Sequence, residues 1–315
     1  MSTIFDQTYQ IIKDSVLRCS ADCLSLSGGL DSTILAYFLK GRKTNAVSII
    51  AKDFIANDLT YCQLAASRFD LPLNIKFCET NEIYSGIEET IKILKNFNDI
   101  EIRNNVVMYL AASAAKELGF NKIMTGDGAD EIFAGYSFLL NKSAEDLERD
   151  LKRIRKIMHF PSHAIGKSLG VDVESPFCSN EVLEFAETVP VDLKVHEEGG
   201  KKFGKWILRK TFEDKIPKAI AWRQKSPMQD GAGTQGLTEF FEGAIPDSVF
   251  ADKVRKIREK DGVTIRTKES LQYYEIYRRY NAVPETAKSG TKCPDCTYVI
   301  EEDSKFCRMC GRFPL

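Results

Sequence analysis

The sequence is poor in histidine and tryptophan, and it has almost no net charge. Its 44 Lys and Arg residues against 45 Asp and Glu residues give a formal charge of −1, so global electrostatics does not favour nucleic-acid binding. No apolar run approaches the ~20 residues of a membrane span, and the N-terminus does not resemble a signal peptide. We therefore expect a cytoplasmic protein with no membrane partner. The three histidines, His159, His163 and His196, are predicted to be surface or capping residues.

A Walker-type phosphate loop is also missing, although a glycine-rich segment stands between two apolar runs. Residues 24–39 read LSLSGGLDSTILAYFL, which predicts a strand, a loop at 27–32 and a helix. Glycine lets a ligand lie against the backbone, and the N–H groups that open a helix favour anions. The loop lacks the lysine of G-x-x-x-x-G-K-[ST], which argues against β–γ cleavage of ATP. Asp31 is a candidate magnesium ligand; the alternative is a plain glycine turn capped by Asp31 or Ser32.

Strands alternate with helices in the first part of the chain. We predict strands at 23–26, 45–51, 72–77 and 121–125. Helices are predicted over 3–18, 32–40, 58–69 and 81–95, with a longer one ending at Gly119. This alternation is typical of a doubly wound, mostly parallel α/β sheet, in which ligands bind beyond the carboxyl ends of the strands. A second glycine-rich segment, TGDGADEIFAGY at 125–136, follows the last of these strands, so both loops can face one nucleotide.

From residue 140 onward the pattern is helical and more charged. Leu147, Leu151, Ile154 and Met158 form one apolar stripe, with most charges on the other faces. A solvated amphipathic helix is the favoured interpretation over an RNA-binding face.

Nine cysteines are present, and an odd number argues against a pure disulfide framework. Cysteines within apolar runs of the main part are predicted to be small buried residues. The last four form two C-x2-C pairs separated by ten residues: Cys293, Cys296, Cys307 and Cys310. Two such pairs can supply four thiolates to a tetrahedral zinc ion. We therefore predict a main domain over 1–283, a linker over 284–292 and a structural zinc ribbon over 293–315.

With both loops placed, the chain resembles the synthetase domain of the asparagine synthetase family, within the PP-loop or N-type ATP pyrophosphatases. The segments that carry the resemblance are SGGLDS at 27–32, TGDGADEIFAGY at 125–136 and GKWILRKTFEDKIPKAIAWRQKSPMQDG at 204–231. The similarity covers roughly residues 10 to 240 and implies an adenine nucleotide alpha hydrolase-like fold. It also implies that ATP is cut between its α- and β-phosphates to form an acyl-adenylate, which an amine then attacks.

The resemblance assigns roles to individual residues of this sequence. Pyrophosphate would be held by Ser27, Gly28, Gly29 and Ser32. Magnesium would be bound by Asp31 and Asp130. Leu26 and Ile50 fall where the family contacts adenine. Thr125 and Gly126 match the family's second nucleotide loop. Lys205 and Lys225 match two lysines that contact the phosphates, and Asp127 stands where the family has a catalytic-site glutamate, with the same charge and a shorter reach.

The sequence departs from the family pattern in further ways. The family's complete enzymes often begin with a glutaminase domain whose nucleophilic cysteine follows the initiator methionine, whereas Ser2 stands here. We therefore expect ammonia to come from solution or from a partner. Glu174 replaces an arginine of the E-x-R-x-P-F-L-D segment, and Ser179 replaces its last aspartate. If Glu174 faces the acceptor it repels an anionic one, so free aspartate is expected to be a poor substrate. The alternative is that Glu174 faces solvent or pairs with a lysine, and its charge then says nothing about the acceptor.

These observations favour an AMP-forming, ATP-dependent ligase that adenylates a carboxylate acceptor and forms an amide with ammonia or an amine. ATP is the expected substrate, with Mg²⁺ and a structural Zn²⁺. The acceptor can be a small molecule or a macromolecule, and the ribbon can recruit a separate ammonia-supplying or carrier protein. The alternative is a PP-loop enzyme that modifies tRNA by thiolation, with RNA as a less favoured partner. An ATP-binding module without turnover is a third interpretation.

Overall fold

A computed structural model describes residues 3–286 and 289–315 of the protein. Five strands form the central sheet: β1 (Cys23–Ser25), β2 (Asn45–Ala51), β3 (Leu73–Cys78), β4 (Lys122–Met124) and β5 (Asp172–Glu174). Their order is β3-β2-β1-β4-β5, and each neighbouring pair is parallel. A separate antiparallel hairpin consists of β6 (Val195–Glu198) and β7 (Lys201–Gly204). The predicted α/β class with a mostly parallel sheet is confirmed.

Helices surround this sheet. The first eight are α1 (Ile4–Arg18), α2 (Leu30–Leu39), α3 (Leu59–Phe69), α4 (Thr80–Leu94), α5 (Asp99–Glu117), α6 (Ala129–Ile132), α7 (Ala144–Ile157) and α8 (Pro161–Leu169). The next eight are α9 (Asn180–Thr188), α10 (Val191–Lys194), α11 (Trp206–Phe212), α12 (Lys218–Ala221), α13 (Met228–Ala232), α14 (Leu237–Ala244), α15 (Asp247–Asp261) and α16 (Lys268–Tyr280). Short 3-10 turns occupy Ser137–Leu139, Pro176–Cys178 and Thr234–Gly236.

Helices cover both faces of the sheet. Because successive residues of a strand point to opposite faces, neighbouring strand residues belong to two different buried clusters. Cys23 and Ile123 pack with α4, α5 and α8 in one buried cluster. Leu24 and Met124, each one residue further along, pack with α1, α2, α9 and α11 in a second cluster. Strands buried on both sides have near-continuous apolar sequences, which is why they were identifiable from the sequence.

Helix α5 shows how local sequence fixes an element that borders the cleft described below. The Asn98 side chain accepts a hydrogen bond from the Glu101 backbone N–H and so caps the helix start. Ile102, Val106 and Leu110 recur at helical spacing and are buried against the sheet. Truncating one such side chain to alanine should cost about 2–5 kcal/mol of stability.

The sequence-based boundaries of the first four strands agree with the structure to within one residue. The stripe on α7 is confirmed for Leu147, Leu151 and Ile154, which are buried, while Met158 is half-buried. Strand β5 was not predicted because its three residues include two carboxylates and no apolar run. Within the described ranges, no helix is both long and apolar enough to cross a membrane.

Candidate active site

A cleft of about 480 Å³ opens beyond the carboxyl ends of β1 and β4 and beside β2. Ser25 and Leu26 form part of its floor at the end of β1, and Thr125 follows β4 directly. The backbone N–H of Thr125 donates to the Glu174 carbonyl, so the start of the second glycine loop is fixed by β5. Both glycine-rich loops border this one cleft, as the parallel arrangement requires.

The first loop joins β1 to α2 in a conformation that only glycine adopts without cost. Gly28 has a φ of +70°, and a Cβ atom there would overlap the backbone of Tyr61. Gly29 caps α2 without any side-chain hydrogen bond, so the first N–H groups of this ten-residue helix stay available to an anion. Ser27 Oγ and Ser32 Oγ lie 3.2 Å apart across the loop. The arrangement is suited to binding a phosphate group.

The second loop brings a carboxylate to the same cleft. Asp127 Oδ2 accepts hydrogen bonds from Thr125 Oγ1 at 2.9 Å and from Ser162 Oγ at 2.6 Å. Gly128 has a φ of +97°, and a Cβ atom there would lie 2.7 Å from the Cys178 sulfur. The loop is therefore held closely against its neighbours, and Asp127 has a fixed orientation.

Two aspartates and two lysines form a chain of ion pairs between the loops. Lys205 Nζ lies 2.6 Å from Asp31 Oδ2 and 2.6 Å from Asp130 Oδ1. Lys225 Nζ lies 2.6 Å from Asp130 Oδ2. The Lys205 side chain is only 3% exposed, whereas that of Lys225 is 33% exposed. The positive charge of Lys225 is therefore the more accessible of the two from the cleft.

The charges in this network stabilise one another. Burial opposes ionisation of Asp130, but Lys205 and Lys225 outweigh it and lower the pKa of the carboxyl group below its ordinary value. Burial likewise opposes the charged form of Lys225, yet Asp130 and Asp31 raise its pKa. Both groups are consequently charged at neutral pH. Behind them, burial lowers the pKa of Arg209 to about 10, and its guanidinium donates to the carbonyls of Gly204 and Ala221.

A glycine near the end of the second glycine-rich segment, Gly135, is needed to build this network. A Cβ atom on Gly135 would overlap both the Asp130 carboxylate and the Lys205 side chain. The Lys205 backbone N–H donates to the Phe133 carbonyl at 2.9 Å, which ties the start of α11 to the same segment. The glycine of "IFAGY" therefore provides the space in which the ion pairs form.

The structure brings most of the predicted site residues together. Those that line the cleft are Leu26, Ser27, Gly29, Asp31, Ser32, Thr125, Gly126, Asp127, Asp130, Lys205 and Lys225. Among the residues that the structure describes, Gly28 and Ile50 are not in that lining, and Val47, Ser48 and Ile49 represent β2 there instead. Their functional roles stay predictions.

Sequence reasoning missed an ion pair on the same side of the cleft as Lys225. Arg223 Nη2 lies 3.0 Å from Asp58 Oδ1, and its guanidinium stacks on the Tyr61 ring at 3.8 Å. Burial raises the pKa of Asp58 to about 6, although Arg223 acts in the opposite direction. Arg223 is two residues before Lys225, in the quoted WRQK segment, so that motif was the available signal.

Two further residues that line the cleft come from distant parts of the chain. His159 is exposed, in agreement with its prediction as a surface residue, and it borders the cleft; Arg308 of the C-terminal segment borders the cleft too. No spacing pattern connects these two positions, since they are 149 residues apart in the sequence. Only the fold brings them together.

Glu174 does not face the cleft, and the alternative that it pairs with a lysine agrees with the structure, because Lys122 Nζ lies 3.9 Å from Glu174 Oε1. The Glu174 carboxylate accepts hydrogen bonds from the backbone N–H groups of Ser20 and Ala21 at 2.8 and 2.7 Å. Ser179 caps α9 by accepting a hydrogen bond from the Val182 backbone N–H. Neither residue lines the cleft, so neither side chain supports an argument about the acceptor.

The two site carboxylates fit a magnesium ion. In the part of the chain that the structure describes, Asp31 Oδ1 and Asp130 Oδ1 are buried oxygens without a hydrogen bond, although the latter is within ion-pair distance of Lys205. Magnesium prefers oxygen ligands and is commonly held by one or two carboxylates together with phosphate oxygens. Asp31 and Asp130 therefore offer the right donor atoms next to a phosphate-binding loop.

The four C-terminal cysteines form a cluster compatible with zinc. The sulfur atoms of Cys293, Cys296, Cys307 and Cys310 all lie within 4.8 Å of one another. Four thiolates at such separations suit tetrahedral zinc coordination.

The cysteine-rich segment packs against the main domain. Cys293, Cys296 and Cys307 belong to the same buried cluster as Phe97 and Tyr274. Backbone hydrogen bonds join Phe97 N–H to the Met309 carbonyl and Thr264 N–H to the Asp295 carbonyl. The ribbon is thus in contact with the body that carries the cleft. The exact domain boundaries stay a prediction, and residues 287 and 288 of the proposed linker lie outside the described residues.

Comparison with known proteins places these features in a family. The chain matches the profile of the family described as Asparagine synthase over residues 10–165 and 144–275. It is 29% identical over 284 residues to a probable glutamine-hydrolyzing asparagine synthetase of Dictyostelium discoideum, covering 80% of this chain and 50% of that protein. It is 25% identical over 313 residues to the glutamine-hydrolyzing asparagine synthetase B of Escherichia coli, covering 90% of this chain and 55% of that protein.

The chain therefore spans about half the length of the relatives it matches. The matched residues include both glycine-rich loops, the four members of the ion-pair network and the Arg223 ion pair. The cysteine-rich segment after residue 283 lies outside the family match. This chain belongs to the asparagine synthase family.

Proposed function

We propose that this protein is an ATP-dependent ligase that converts ATP to AMP and pyrophosphate while it joins a carboxylate to ammonia or an amine. One observation carries the proposal: Asp31, Lys205, Asp130 and Lys225 form a linked set of charges between two glycine-rich loops, and no Walker lysine is present. The family membership supports the same reaction class.

In the first half-reaction, a carboxylate oxygen of the acceptor attacks the α-phosphorus of ATP. A bond forms between that oxygen and phosphorus, while the bond from the α-phosphorus to the bridging oxygen breaks and pyrophosphate leaves. Negative charge builds up on the leaving group, so cations placed there accelerate the step. Lys225 is exposed enough to contact the pyrophosphate, and Lys205 sits behind it.

In the second half-reaction, the nitrogen of ammonia or of an amine attacks the acyl carbon, and AMP leaves with the oxygen that joined them. The attacking nitrogen must lose a proton to a base. Asp127 is the proposed base, because it lines the cleft and is oriented by Thr125 and Ser162.

Two metals accompany the proposal. Asp31 and Asp130 would hold Mg²⁺, which neutralises phosphate charge when bound. Cys293, Cys296, Cys307 and Cys310 would hold one structural Zn²⁺. The acceptor is a small-molecule or macromolecular carboxylate, and the ribbon is a possible docking point for a protein that delivers ammonia.

Product analysis tests the reaction class. The protein is incubated with ATP, Mg²⁺, ammonium and a pool of metabolite carboxylates, and nucleotides are separated by chromatography while pyrophosphate is assayed. We expect equal amounts of AMP and pyrophosphate, both lost in Asp31→Ala. ADP and orthophosphate as primary products would contradict the proposal. Co-purifying tRNA with sulfur incorporation would favour the thiolation alternative.

A further inference from the structure

The wall of the cleft that carries Lys225 is an irregular stretch of chain between two short helices. Residues 223–227, the Lys225 segment, join α12 to α13, and every one of them lines the cleft. Gln224 and Lys225 are exposed. Within residues 3–286 and 289–315, no backbone-to-backbone hydrogen bond involves residues 224–226. The position of Lys225 therefore depends on how the two ends of the segment are held.

Asp58 contacts both ends of the Lys225 segment. At the first end, Arg223 Nη2 lies 3.0 Å from Asp58 Oδ1. Beyond the second end, the Asp58 backbone N–H donates to the Gly231 carbonyl at 3.0 Å. A Cβ atom on Gly231 would lie 1.9 Å from Asp58 Oδ2, so the carboxylate fills the space beside that glycine. One residue thus fixes the separation between the two flanks of the segment.

The partners of Arg223 both belong to the start of α3. Asp58 is the N-cap residue of this helix, yet its side chain makes no capping hydrogen bond, although aspartate is a preferred N-cap. Its carboxylate pairs with Arg223 instead, and the Arg223 guanidinium stacks on the Tyr61 ring at 3.8 Å. The side chains of Arg223 and Asp58 are only 13% and 11% exposed. Solvent therefore screens this pair less than it screens a surface ion pair.

The start of α3 is in turn packed on the phosphate loop. A Cβ atom on Gly28 would lie 2.3 Å from the carbonyl carbon of Tyr61, so the two backbones are in close contact. The Arg223 backbone is also fixed, because its carbonyl accepts a hydrogen bond from Nη1 of the buried Arg209 at 2.8 Å. Arg223 consequently connects the Lys225 segment to the same element that supports the phosphate loop.

The two cations of the segment have different surroundings. The Arg223 guanidinium is paired with Asp58 and covered by Tyr61, whereas the Lys225 side chain is 33% exposed and its Nζ lies 2.6 Å from Asp130 Oδ2. Only one residue separates these cations in the sequence. The arrangement suits Arg223 to holding the segment and Lys225 to contacting phosphate.

We propose that Arg223 is a positioning residue: with Asp58 and Tyr61 it clasps the Lys225 segment against α3 and so keeps the Lys225 ammonium group at the phosphate end of the cleft. This inference rests on the proposed function, in which Lys225 stabilises the departing pyrophosphate. Arg223 itself contacts neither ATP nor the acceptor, and its effect on the reaction passes through Lys225.

A double-mutant comparison tests whether Arg223 acts through Lys225. In the pyrophosphate assay, Arg223→Gln should lower the apparent kcat by about 10–10²-fold, the scale of a small misplacement of a catalytic group. The KM for ATP should change much less, and Arg223→Lys should retain part of the rate. Arg223→Gln combined with Lys225→Met should be no slower than Lys225→Met alone. Losses that multiply in the double variant would overturn the proposal, because they would give Arg223 a role separate from Lys225.

Proteolysis of the native protein tests the clasp without turnover. Endoproteinase Lys-C cleaves after Lys225 but not after Arg223, and mass spectrometry gives the rate of cleavage of the bond between residues 225 and 226. In the full-length, zinc-loaded protein, Arg223→Gln should be cleaved there about 5-fold or more faster than the wild type, because the segment opens locally more often. The melting temperature should change little. Equal cleavage rates would overturn the proposal.

Arg278→Gln is the matched control for both tests. Arg278 also forms a partly buried ion pair with an aspartate, since its Nε lies 3.3 Å from Asp261 Oδ2, but it does not line the cleft. This variant should keep the wild-type kcat and the wild-type rate of Lys-C cleavage. Faster cleavage after Lys225 in Arg278→Gln as well would attribute the effect to general loosening and overturn the clasp.

The proteolysis result is independent of the reaction assignment. If Arg223→Gln is cleaved faster but product analysis gives ADP, the reaction class fails and the clasp stands. If AMP and pyrophosphate form but Arg223→Gln is cleaved and turns over as the wild type does, the reaction stands and the clasp fails.

Discussion

Lys205 Nζ lies 2.6 Å from Asp31 Oδ2, across a separation of 174 residues in the chain. Lys205 also has a φ of +53°, a left-handed conformation that costs a non-glycine residue about 1–3 kcal/mol. Its backbone N–H is fixed by the Phe133 carbonyl, and its ammonium group reaches Asp130 as well. The protein thus accepts local strain to place one buried cation between the two carboxylates of the proposed magnesium site.

The first prediction is that Lys205 competes with magnesium. Lys205→Met should bind Mg²⁺ more tightly than the wild type in the absence of nucleotide, because the two carboxylates lose the ammonium between them. Thermal shift against MgCl₂ concentration measures this. The wild type should gain little at millimolar magnesium, whereas the variant should start from a lower melting temperature and gain more. Equal magnesium responses would show that the ammonium does not occupy the metal position.

The second prediction concerns Asp31 and Lys225 in catalysis. Asp31→Ala and Lys225→Met should each lower pyrophosphate release by about 10²–10³-fold, because each removes stabilisation of charge that develops on the leaving group. Both should remain folded, since Asp31 and Lys225 lie on the cleft surface. Lys218→Met, an exposed lysine in α12, is the control and should keep wild-type activity. Near-native turnover in both site variants would make these residues structural only.

The third prediction concerns the space that Gly135 provides. Gly135→Ala should destabilise the protein by more than about 1 kcal/mol and abolish turnover, because the added Cβ atom would displace Asp130 and Lys205. Gly243→Ala is the matched control: it lies in α14, and an added Cβ meets nothing within 4 Å. That change should be neutral or stabilising by up to about 1 kcal/mol. Urea unfolding and pyrophosphate assays of both variants provide the comparison.

Sequence patterns predicted the parts of the site that depend on local chemistry. The loop at 27–32 was identifiable because its two glycines and its aspartate stand between an apolar strand and an apolar helix. Because the carboxyl ends of parallel strands lie at one edge of the sheet, the second loop was expected beside the first. Lys205 and Lys225 came only from the family resemblance, because a lysine in a polar segment has no distinctive spacing.

The rest depended on tertiary packing. The motif position of Glu174 predicts a charge on the acceptor side, but β5 turns its side chain toward the backbone of residues 20 and 21. Arg308 could not be associated with the cleft, since nothing in the sequence shows that the ribbon packs on α5 and α16. The ribbon cysteines Cys293, Cys296 and Cys307 are buried in the same cluster as Phe97 and Tyr274, whose ring centroids lie 4.9 Å apart.

The fourth prediction is that zinc stabilises more than the ribbon. Removal of zinc with a chelator should lower the melting temperature of the whole protein, because three of the cysteines are buried with Phe97 and Tyr274 in the main cluster. Re-addition of one equivalent of Zn²⁺ should restore it, and metal analysis should give one zinc per chain. Affinity for α,β-methylene ATP should persist at temperatures where the zinc-free protein is still folded. An unchanged melting transition after zinc loss would show an independent ribbon.

The last prediction follows from the raised pKa of Asp58, which is about 6 in the folded protein against about 3.9 in an unfolded chain. Because the folded state favours the protonated form, Asp58 contributes its full stability below pH 4 and loses it as the pH rises through 6. The loss amounts to roughly 3 kcal/mol for a shift of about two pKa units, since each unit corresponds to about 1.4 kcal/mol. Asp58→Asn, which cannot ionise, should therefore gain stability relative to the wild type between pH 4 and pH 7. Urea unfolding at each pH measures the difference, with the exposed Asp192→Asn as a reference for charge removal.

The turnover of Asp58→Asn should fall although its stability rises, because the ionised Asp58 holds Arg223 at 3.0 Å beside the Lys225 segment. A stability difference that stays constant with pH would mean that Asp58 titrates as an ordinary carboxylate.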